Sequence, residues 1–259
     1  MNIHAYNAAA WDRQVALGNP WTVPVSAGTI AAARRGEWSV VLTEQRPVPR
    51  EWFPPLAGLE VLALAASGGQ QAPIFAAAGA RVTVLDASAA QLGQDRTVAE
   101  REGLDLRLVQ GDMRDLGAFA DGSFDLVFHP VANVFCPEVA PVWREAWRVL
   151  RPGGRLLAGF MNPALYLFDD EPEVDGGFRL LRGLPFAASD DPEAWRARWG
   201  PDAPLEFSHS LEAQIGGQLA VGFVLVDLYE DWTNSALGRH LPAYLATWAE
   251  KPEVARGRR

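Results

Sequence analysis

Short, almost unbroken apolar runs alternate along the chain with longer segments whose apolar residues recur at helical spacing. The first run, at 61–64, ends in a turn of small residues. A strand this apolar has to be covered on both faces, as in a parallel sheet with helices on both sides. A helix from near Gln70 and a second apolar run at 81–85 follow. The stretch 58–86 therefore predicts a strand, a helix and a second strand.

The same alternation continues along the chain and predicts seven strands in all. The other five are expected at 104–109, 124–129, 155–160, 224–229 and 245–251. Helices are expected at 27–36, 88–103, 137–150, 193–199 and 207–222. Gly36 and Gly103 are expected to end two of these helices, because glycine relieves the left-handed cap. Helices placed between strands indicate an α/β fold with a doubly wound, mostly parallel sheet.

The helix expected at 207–222 has Ser208 as its cap and two glycines, Gly216 and Gly217, in its middle. Each glycine costs about 1 kcal/mol in a helix interior. Their presence indicates that a neighbour approaches the helix closely, either the adjacent sheet or a substrate.

The turn after the first strand is the first candidate for ligand binding. It consists of Ala65, Ala66, Ser67, Gly68 and Gly69. Residues this small let a polar or anionic ligand reach backbone N–H groups, and the following helix points its positive end at the same place.

An acidic residue, Asp86, ends the second strand at about the distance from the turn at which nucleotide-binding units place a carboxylate against ribose hydroxyls. In the alternative interpretation the acid only caps the next helix, since Ala87 and Ser88 follow it.

Four ordered blocks resemble the class I S-adenosylmethionine-dependent methyltransferases. They are the strand, turn and acid just described, GDM at 111–113, FDLVFH at 124–129 and LRPGG at 150–154. The resemblance covers roughly 61–160 and implies a Rossmann-like sheet of seven strands, the last of them antiparallel, with S-adenosylmethionine as cofactor. The family usually has glycines where this chain has Ala65 and Ser67.

The resemblance also implies a set of cofactor-binding residues. Asp112 would accept from the adenine amine and Met113 would offer an apolar contact or its N–H; alternatively, Asp112 caps a turn. The AYNAAAWD opening adds Tyr6 and Trp11, which alternatively only pack one edge of the sheet, and Trp21 is a weaker candidate. The complete expected set is Tyr6, Trp11, Ala65, Ser67, Gly68, Gly69, Asp86, Ala87, Asp112, Met113 and His129.

Two histidines are candidate catalytic residues. His129 ends the fourth strand, at the switch point of the sheet where cofactor and substrate meet, so it could contact the cofactor or take a proton. His209 is a second candidate base or substrate contact. Both are equally compatible with purely structural roles. Asn133 is a candidate for orienting the substrate.

Composition and charge restrict which partners and which cellular compartment we expect. The chain has 259 residues, 49% hydrophobic and 21% charged, with a net charge of −9. Nucleic-acid binding is not expected, because only the tail at 255–259 is basic. Cys136 stands alone, so no intrachain disulfide and no cysteine-rich metal site is expected. No leader or membrane span is recognisable, so we expect a cytoplasmic protein.

We expect one domain with four parts. These are an aromatic-rich flap at 1–55, a cofactor-binding core at 56–161, a lid insertion at 162–206 and the end of the core sheet at 207–259. The lid is expected because 162–206 lacks strong periodicity, and its acidic clusters are interpreted as solvated surface.

The resulting functional hypothesis is methyl transfer from S-adenosylmethionine to a small-molecule acceptor. Two alternatives remain at this stage. One is a nicotinamide-dependent oxidoreductase built on the same unit, and the other is a non-catalytic S-adenosylmethionine-binding sensor.

Overall fold

The computed structural model describes residues 1–169, 172 and 176–253, and a single β-sheet lies at its centre. Its seven strands within those residues stand in the order β3-β2-β1-β4-β5-β7-β6. The strands are β1 (Glu60–Leu64), β2 (Arg81–Asp86), β3 (Leu106–Gln110), β4 (Phe124–His129), β5 (Leu150–Met161), β6 (Val224–Asp231) and β7 (Tyr244–Glu250). β1 to β5 pair in parallel, whereas β7 is antiparallel to both β5 and β6. The predicted seven-stranded sheet with an antiparallel last strand is confirmed.

Helices flank the sheet and connect its strands. They are α1 (Ile3–Ala16), α2 (Ala27–Arg34), α3 (Gln71–Ala77), α4 (Ala89–Glu102), α5 (Ala140–Val149), α6 (Pro192–Trp199) and α7 (Gly217–Ala220). Short 3₁₀ turns lie at Pro20–Thr22, Arg50–Trp52, Asn133–Phe135, Pro163–Leu167 and Leu237–Arg239. In the described part of the chain, no helix has the length and apolar character needed to cross a membrane.

Both faces of the central strands of the sheet are buried, as the apolar runs require. Along β1, Val61 and Ala63 belong to one core cluster, and Leu62 and Leu64 belong to another. The first cluster contains Trp52, Phe75 and Phe128, and the second contains Leu116, Val127 and Trp143. Since side chains alternate along a strand, one continuous apolar run supplies two cores.

Local signals set several helix ends as predicted. The Ser88 hydroxyl accepts from the N–H of Gln91 at 3.0 Å and begins α4, while Gly103 ends it with φ +64°. Gly36 has φ +85° just beyond α2. Only glycine adopts such angles without a steric penalty.

The longest helix of the N-terminal region was not predicted from the sequence. Residues 3–16 form α1, a helix that begins after Asn2, whose side chain accepts from the N–H of Ala5 at 3.1 Å. Five of these fourteen residues are alanines, so the segment carries little of the apolar periodicity that predicts an amphipathic helix.

The predicted helix at 207–222 is wrong in its start and its cap. It begins near Glu212 as a π-helical turn, Glu212–Gly216, and continues as α7. The Ser208 hydroxyl instead accepts from the N–H of Phe186 at 2.6 Å. A close neighbour does meet the glycines: a Cβ at Gly217 would lie 2.7 Å from the ring of Trp143, so the neighbour is α5 rather than the sheet or a substrate.

The segment between β5 and the π-helical turn forms a small core of its own. Trp195 of α6 packs there with Leu205 and Phe207, and Tyr6 of α1 contacts the same cluster. β5 itself starts at Leu150, earlier than the predicted 155. Of the sequence features noted above, Asp170 and Glu171 and the basic tail at 255–259 lie outside the described residues.

Gly159 in β5 generates a stability prediction. A Cβ there would overlap the carbonyl oxygen of Leu42, which cannot move away without shifting backbone. We expect Gly159→Ala to lower the free energy of unfolding by about 1–3 kcal/mol, which corresponds to about 2–4 °C in Tm per kcal/mol. Thermal unfolding followed by circular dichroism measures the change.

The matched control is Gly93→Ala in α4. No atom lies within 4 Å of a Cβ at that position, and alanine favours a helix interior by about 1 kcal/mol. We expect an unchanged or higher Tm. An equal loss of stability in both variants would contradict the crowding argument.

Candidate active site

A cavity of about 860 Å³ opens at the carboxyl ends of the parallel strands. Its floor contains the residues that follow β1, β2 and β4, among them Ser67, Asp86 and Ala132. This edge is where open parallel sheets bind ligands, since the order of the strands reverses there. The volume suits a site for small molecules.

Helix α1 forms a wall of this cavity through Ile3, His4, Asn7, Ala8 and Trp11. The Trp11 ring meets Phe135 edge to face, with the ring centroids 5.2 Å apart. Two elements distant in sequence therefore meet at this wall, and the N-terminal helix becomes part of the site.

Two polar residues of α1, both missed from the sequence, fix the helix to the core. The Asn7 amide donates to the carbonyls of Phe135 at 2.8 Å and Leu205 at 2.9 Å. Asp12 Oδ1 accepts from the Ser88 hydroxyl at 2.6 Å and from the N–H of Ala90 at 3.0 Å. The only signal for these two residues in the sequence was that an asparagine and an aspartate stand within an alanine-rich segment.

The turn after β1, residues 65–69, is called the cofactor loop below. Ala65 has φ +47°, the one positive φ among described residues other than glycine. Such a conformation costs of order 1–3 kcal/mol, so the surroundings must hold it. Ala65 and Ser67, two of the residues expected to bind the cofactor, line the cavity.

The glycines of this loop have a different role from the one expected. Gly68 and Gly69 do not line the cavity. A Cβ on Gly68 would lie 2.8 Å from the carbonyl oxygen of Trp21, and one on Gly69 would lie 2.9 Å from that of Gln94. Their missing side chains admit the N-terminal segment and α4, rather than a ligand.

Asp86 faces the cavity, with Ala87 beside it. One carboxylate oxygen accepts from the N–H of Ser88 at 2.9 Å and the other from the N–H of Ser67 at 3.4 Å. Burial raises the pKa of Asp86 to about 6, partly offset by these hydrogen bonds. The residue that caps α4 is Ser88, so capping alone does not account for Asp86.

Asp112 and Met113 also line the cavity. Arg114 donates to both oxygens of Asp112, with Nη2 to Oδ2 at 2.7 Å. Burial alone would raise the pKa of Asp112, but the hydrogen bonds and charge of Arg114 lower it overall. The carboxylate is thus held ionised and oriented at the end of β3.

The structure places neither predicted catalytic histidine at the cavity. His129 is fully buried, and its ring nitrogens bond the carbonyl of Leu64 at 2.9 Å and Asn133 Oδ1 at 2.8 Å. Burial lowers its pKa. His129 and Asn133 therefore connect β4 to β1 and to Gln214, which accepts from the Asn133 amide at 2.8 Å. This placement favours the structural alternative.

His209 is similarly enclosed. Its Nε2 lies 2.9 Å from the carbonyl of Asn133 and 3.0 Å from that of Cys136, so it must donate to them. Burial lowers the pKa of His209. The histidine that does line the cavity is His4, which sequence reasoning missed, and its Nε2 is buried without a hydrogen-bond partner.

Of the aromatic residues proposed from the N-terminal motif, Trp11 and Trp21 line the cavity and Tyr6 does not. The Tyr6 hydroxyl lies 3.5 Å from the carbonyl of Ala203, and its ring joins the small core around Trp195. Tyr6 and Trp11 lie on different faces of α1, so one helix cannot present both to the same space.

A second part of the cavity is walled by the segment after β5 and by the β6–β7 connection. The Tyr166 hydroxyl donates to Glu206 Oε2 at 2.7 Å, and both residues line this part with Tyr244 and Arg182. Burial and the nearby Glu206 raise the pKa of Tyr166. No sequence motif pointed to these residues. Among the residues that the structure describes, no cluster of side chains suits a metal ion.

Comparison with known proteins decides the class of the site. A sequence profile described as a methyltransferase domain matches residues 62–158. The uncharacterized methyltransferase YbaJ of Bacillus subtilis (strain 168) is 47% identical over 249 residues, which span 95% of this chain and 98% of YbaJ. The chain belongs to the methyltransferase family. Methyl transfer is thereby favoured over the oxidoreductase and sensor alternatives.

More distant proteins agree with this assignment. The sterol 24-C-methyltransferase ERG6B of Gibberella zeae is 40% identical over 185 residues, covering 60% of this methyltransferase and 48% of that protein. A crystal structure of an S-adenosylmethionine-dependent methyltransferase from Mesorhizobium loti superimposes with a TM-score of 0.61 at 19% identity, over 78% of this chain and 94% of that one. That likeness shows the fold. The cofactor of this methyltransferase is S-adenosylmethionine.

The side chains at the strand ends fit that cofactor. Asp86 offers an acceptor to ribose hydroxyls, and the Asp112 carboxylate offers one to an amino group. Met113 and Trp11 supply apolar surface beside them, and the unpartnered Nε2 of His4 adds a polar atom. This methyltransferase therefore has polar and apolar groups that suit a nucleoside.

The contacts of Asp12 generate a prediction about the wall formed by α1. Asp12→Ala removes an acceptor from Ser88 and Ala90, which should cost about 1–2 kcal/mol. We expect faster hydrogen exchange throughout α1 and weaker binding of S-adenosylhomocysteine. Asp12→Asn keeps the accepting Oδ1 and should stay near wild type. Unchanged exchange in α1 of Asp12→Ala would show that this contact does not hold the helix.

Proposed function

We propose that this methyltransferase acts on a small-molecule acceptor held between the strand ends and the segment at 162–206. The observation that carries the proposal is that a single cavity is lined both by Asp86 and Asp112 and by Tyr166 and Glu206. A cofactor at the first pair and an acceptor at the second would share one enclosed space.

The parts of the chain take corresponding roles in this proposal. Residues 56–161 form the cofactor-binding core, and 207–259 complete the sheet. The flap at 1–55 covers the cofactor through Trp11 and Trp21. The segment at 162–206 caps the acceptor. Enclosure of this kind excludes water from the reacting groups.

Bound S-adenosylmethionine supplies a methyl group activated by a sulfonium charge. The chain's own task is then to position the acceptor, and orientation can contribute roughly 7–11 kcal/mol to the barrier reduction. Tyr166 and Glu206 form a phenol–carboxylate pair that can bind and orient a hydroxyl or amine group. Because His129 and His209 are enclosed elsewhere, we assign them positions in the structural support of the site.

Two further observations support a small acceptor. The chain carries a net charge of −9, which opposes a polyanionic substrate. The related Gibberella zeae protein is named for a sterol, which is a small molecule. We also propose the cytoplasm as the location, since the lone Cys136 can form no intrachain disulfide.

Asp86→Asn tests the cofactor part of the proposal. The change keeps the shape of the side chain and removes a charged acceptor, whose hydrogen bonds are worth about 1.5–3 kcal/mol. We expect about 10- to 100-fold weaker binding of S-adenosylmethionine and S-adenosylhomocysteine, measured by calorimetry. NADH should not bind to the wild-type protein.

The control is Asp105→Asn, an exposed carboxylate on the connection between α4 and β3. This variant should bind S-adenosylmethionine and S-adenosylhomocysteine with wild-type affinity. Wild-type affinity in Asp86→Asn, or failure of wild type to bind either methionine derivative, would contradict the proposal.

Tyr166→Phe tests the acceptor part. The variant loses the hydroxyl that bonds Glu206, so an acceptor identified by release of S-adenosylhomocysteine should show a raised KM or a lowered kcat, with cofactor affinity unchanged. Tyr229→Phe is the control, because Tyr229 is equally buried but lies outside the cavity. Identical kinetics in Tyr166→Phe and wild type would remove this residue from the acceptor site.

A further inference from the structure

A buried cluster of polar atoms beneath the cofactor loop has incomplete hydrogen bonding. Asp95 of α4 is fully buried. Its Oδ2 accepts from the N–H of Gly68 at 3.2 Å, but its Oδ1 has no hydrogen-bond partner. The hydroxyl oxygen of Ser67 and Oε1 of Gln91 are also buried without partners. Unpaired buried polar atoms are costly, so the cluster calls for an explanation.

Consecutive residues of the cofactor loop contact the two acids: the Ser67 N–H donates to Asp86 Oδ2 at 3.4 Å, and the Gly68 N–H donates to Asp95 Oδ2 at 3.2 Å. The Ser67 hydroxyl lowers the pKa of both carboxyl groups. Burial raises the pKa of Asp95 to about 7, and the negative charge of Asp86 raises it further in the same direction. Two carboxylates in one buried site do not both ionise readily.

None of the main causes of the pKa shifts of Asp86 and Asp95 is a positive charge. From β2, Asp95 faces Asp86, and from the cofactor loop it faces Ser67 and the N–H groups of Gly68 and Gly69. Gln91 of the same helix as Asp95 also approaches the loop, since a Cβ at Gly68 would lie 3.0 Å from its Oε1. Asp12 of α1, another acid, bonds Ser88 at the start of that helix.

A neutral carboxyl group resolves the incomplete hydrogen bonding. Protonated Asp95 has one O–H donor, and the Ser67 oxygen can accept it. The Ser67 hydroxyl hydrogen then remains available to the Asp86 carboxylate. Oδ1 of Asp95 and the Ser67 oxygen then each have a partner, and only one of the two acids carries a charge.

We propose that Asp95 is a positioning residue that, in its neutral form, donates to Ser67 and thereby holds the cofactor loop and the Asp86 carboxylate in the binding arrangement. This relay, Asp95 to Ser67 to Asp86, supports a loop that has Ala65 and Ser67 where the family usually has glycines, with Ala65 at a positive φ. The inference rests on the proposed contact between Asp86 and the cofactor.

Loss of the proton reverses the arrangement. Ionised Asp95 competes with Asp86 for the Ser67 hydrogen and repels the Asp86 charge, so cofactor affinity should fall as pH rises. If only protein with neutral Asp95 and ionised Asp86 binds, the pKa values of about 7 and about 6 imply that the Kd for S-adenosylhomocysteine rises about 15-fold between pH 6 and pH 8.5.

Calorimetric titration with S-adenosylhomocysteine across this pH range tests the proposal. Asn at position 95 imitates the neutral acid permanently, since it accepts from Gly68 and donates to Ser67. We expect Asp95→Asn to bind as wild type does at pH 6 and to keep that affinity at pH 8.5. The exposed control, Asp105→Asn, should follow the wild-type pH profile.

Three results would overturn the proposal. They are a wild-type affinity that does not change with pH, a pH profile of Asp95→Asn that parallels wild type, and a loss of affinity in Asp95→Asn at pH 6. The last would mean that the charge on Asp95, rather than its proton, is required.

A second measurement needs neither the variant nor the cofactor. In wild-type protein labelled with ¹³C at aspartate carboxyl groups, one buried carboxyl should titrate near pH 7, and Ser67→Ala should shift that titration. If every aspartate carboxyl group titrates in the ordinary acidic range, the relay is absent. Failure of S-adenosylhomocysteine to bind would refute the proposed function instead, and the carboxyl titration would still decide the relay.

Discussion

The double burial of the parallel sheet is the constraint on which the rest of this structure depends. Val61 and Ala63 enter one core while Leu62 and Leu64 enter the other, so helices must cover both faces. With both faces closed, the carboxyl edge of the strands remains as the place where polar residues can meet a ligand. Asp86 is the last residue of β2 and Asp112 lies two residues beyond the end of β3, so both carboxyl groups reach the cavity at this edge.

The cavity is completed by segments outside the central unit. Helix α1 has few large apolar residues, so its position depends on specific polar contacts from Asn7 and Asp12. Asp12 bonds the residues that begin α4, and Asn7 bonds two loops that themselves line the site. One helix therefore contacts both the start of α4 and the loop at Leu205.

The cofactor loop shows how one conformation can be reached with different residues. Family members usually place glycines where this chain has Ala65 and Ser67, and Ala65 adopts a positive φ at an energetic cost. Here Gly68 and Gly69 admit close neighbours, and Asp95 contacts the loop from below. The support that glycine gives locally is replaced by tertiary contacts.

The sequence by itself determined the seven strands, most helices, the acids at the strand ends and the family, because these follow from periodicity and local motifs that residues carry individually. Tertiary structure decided which candidates share the cavity. His129 was expected there and is enclosed, whereas His4, Tyr166 and Glu206 line it without any motif. The physical reason is that a side chain's partners are set by packing between distant segments. Hydrogen bonds such as that from Tyr166 to Glu206 exist only once the sheet has brought those segments together.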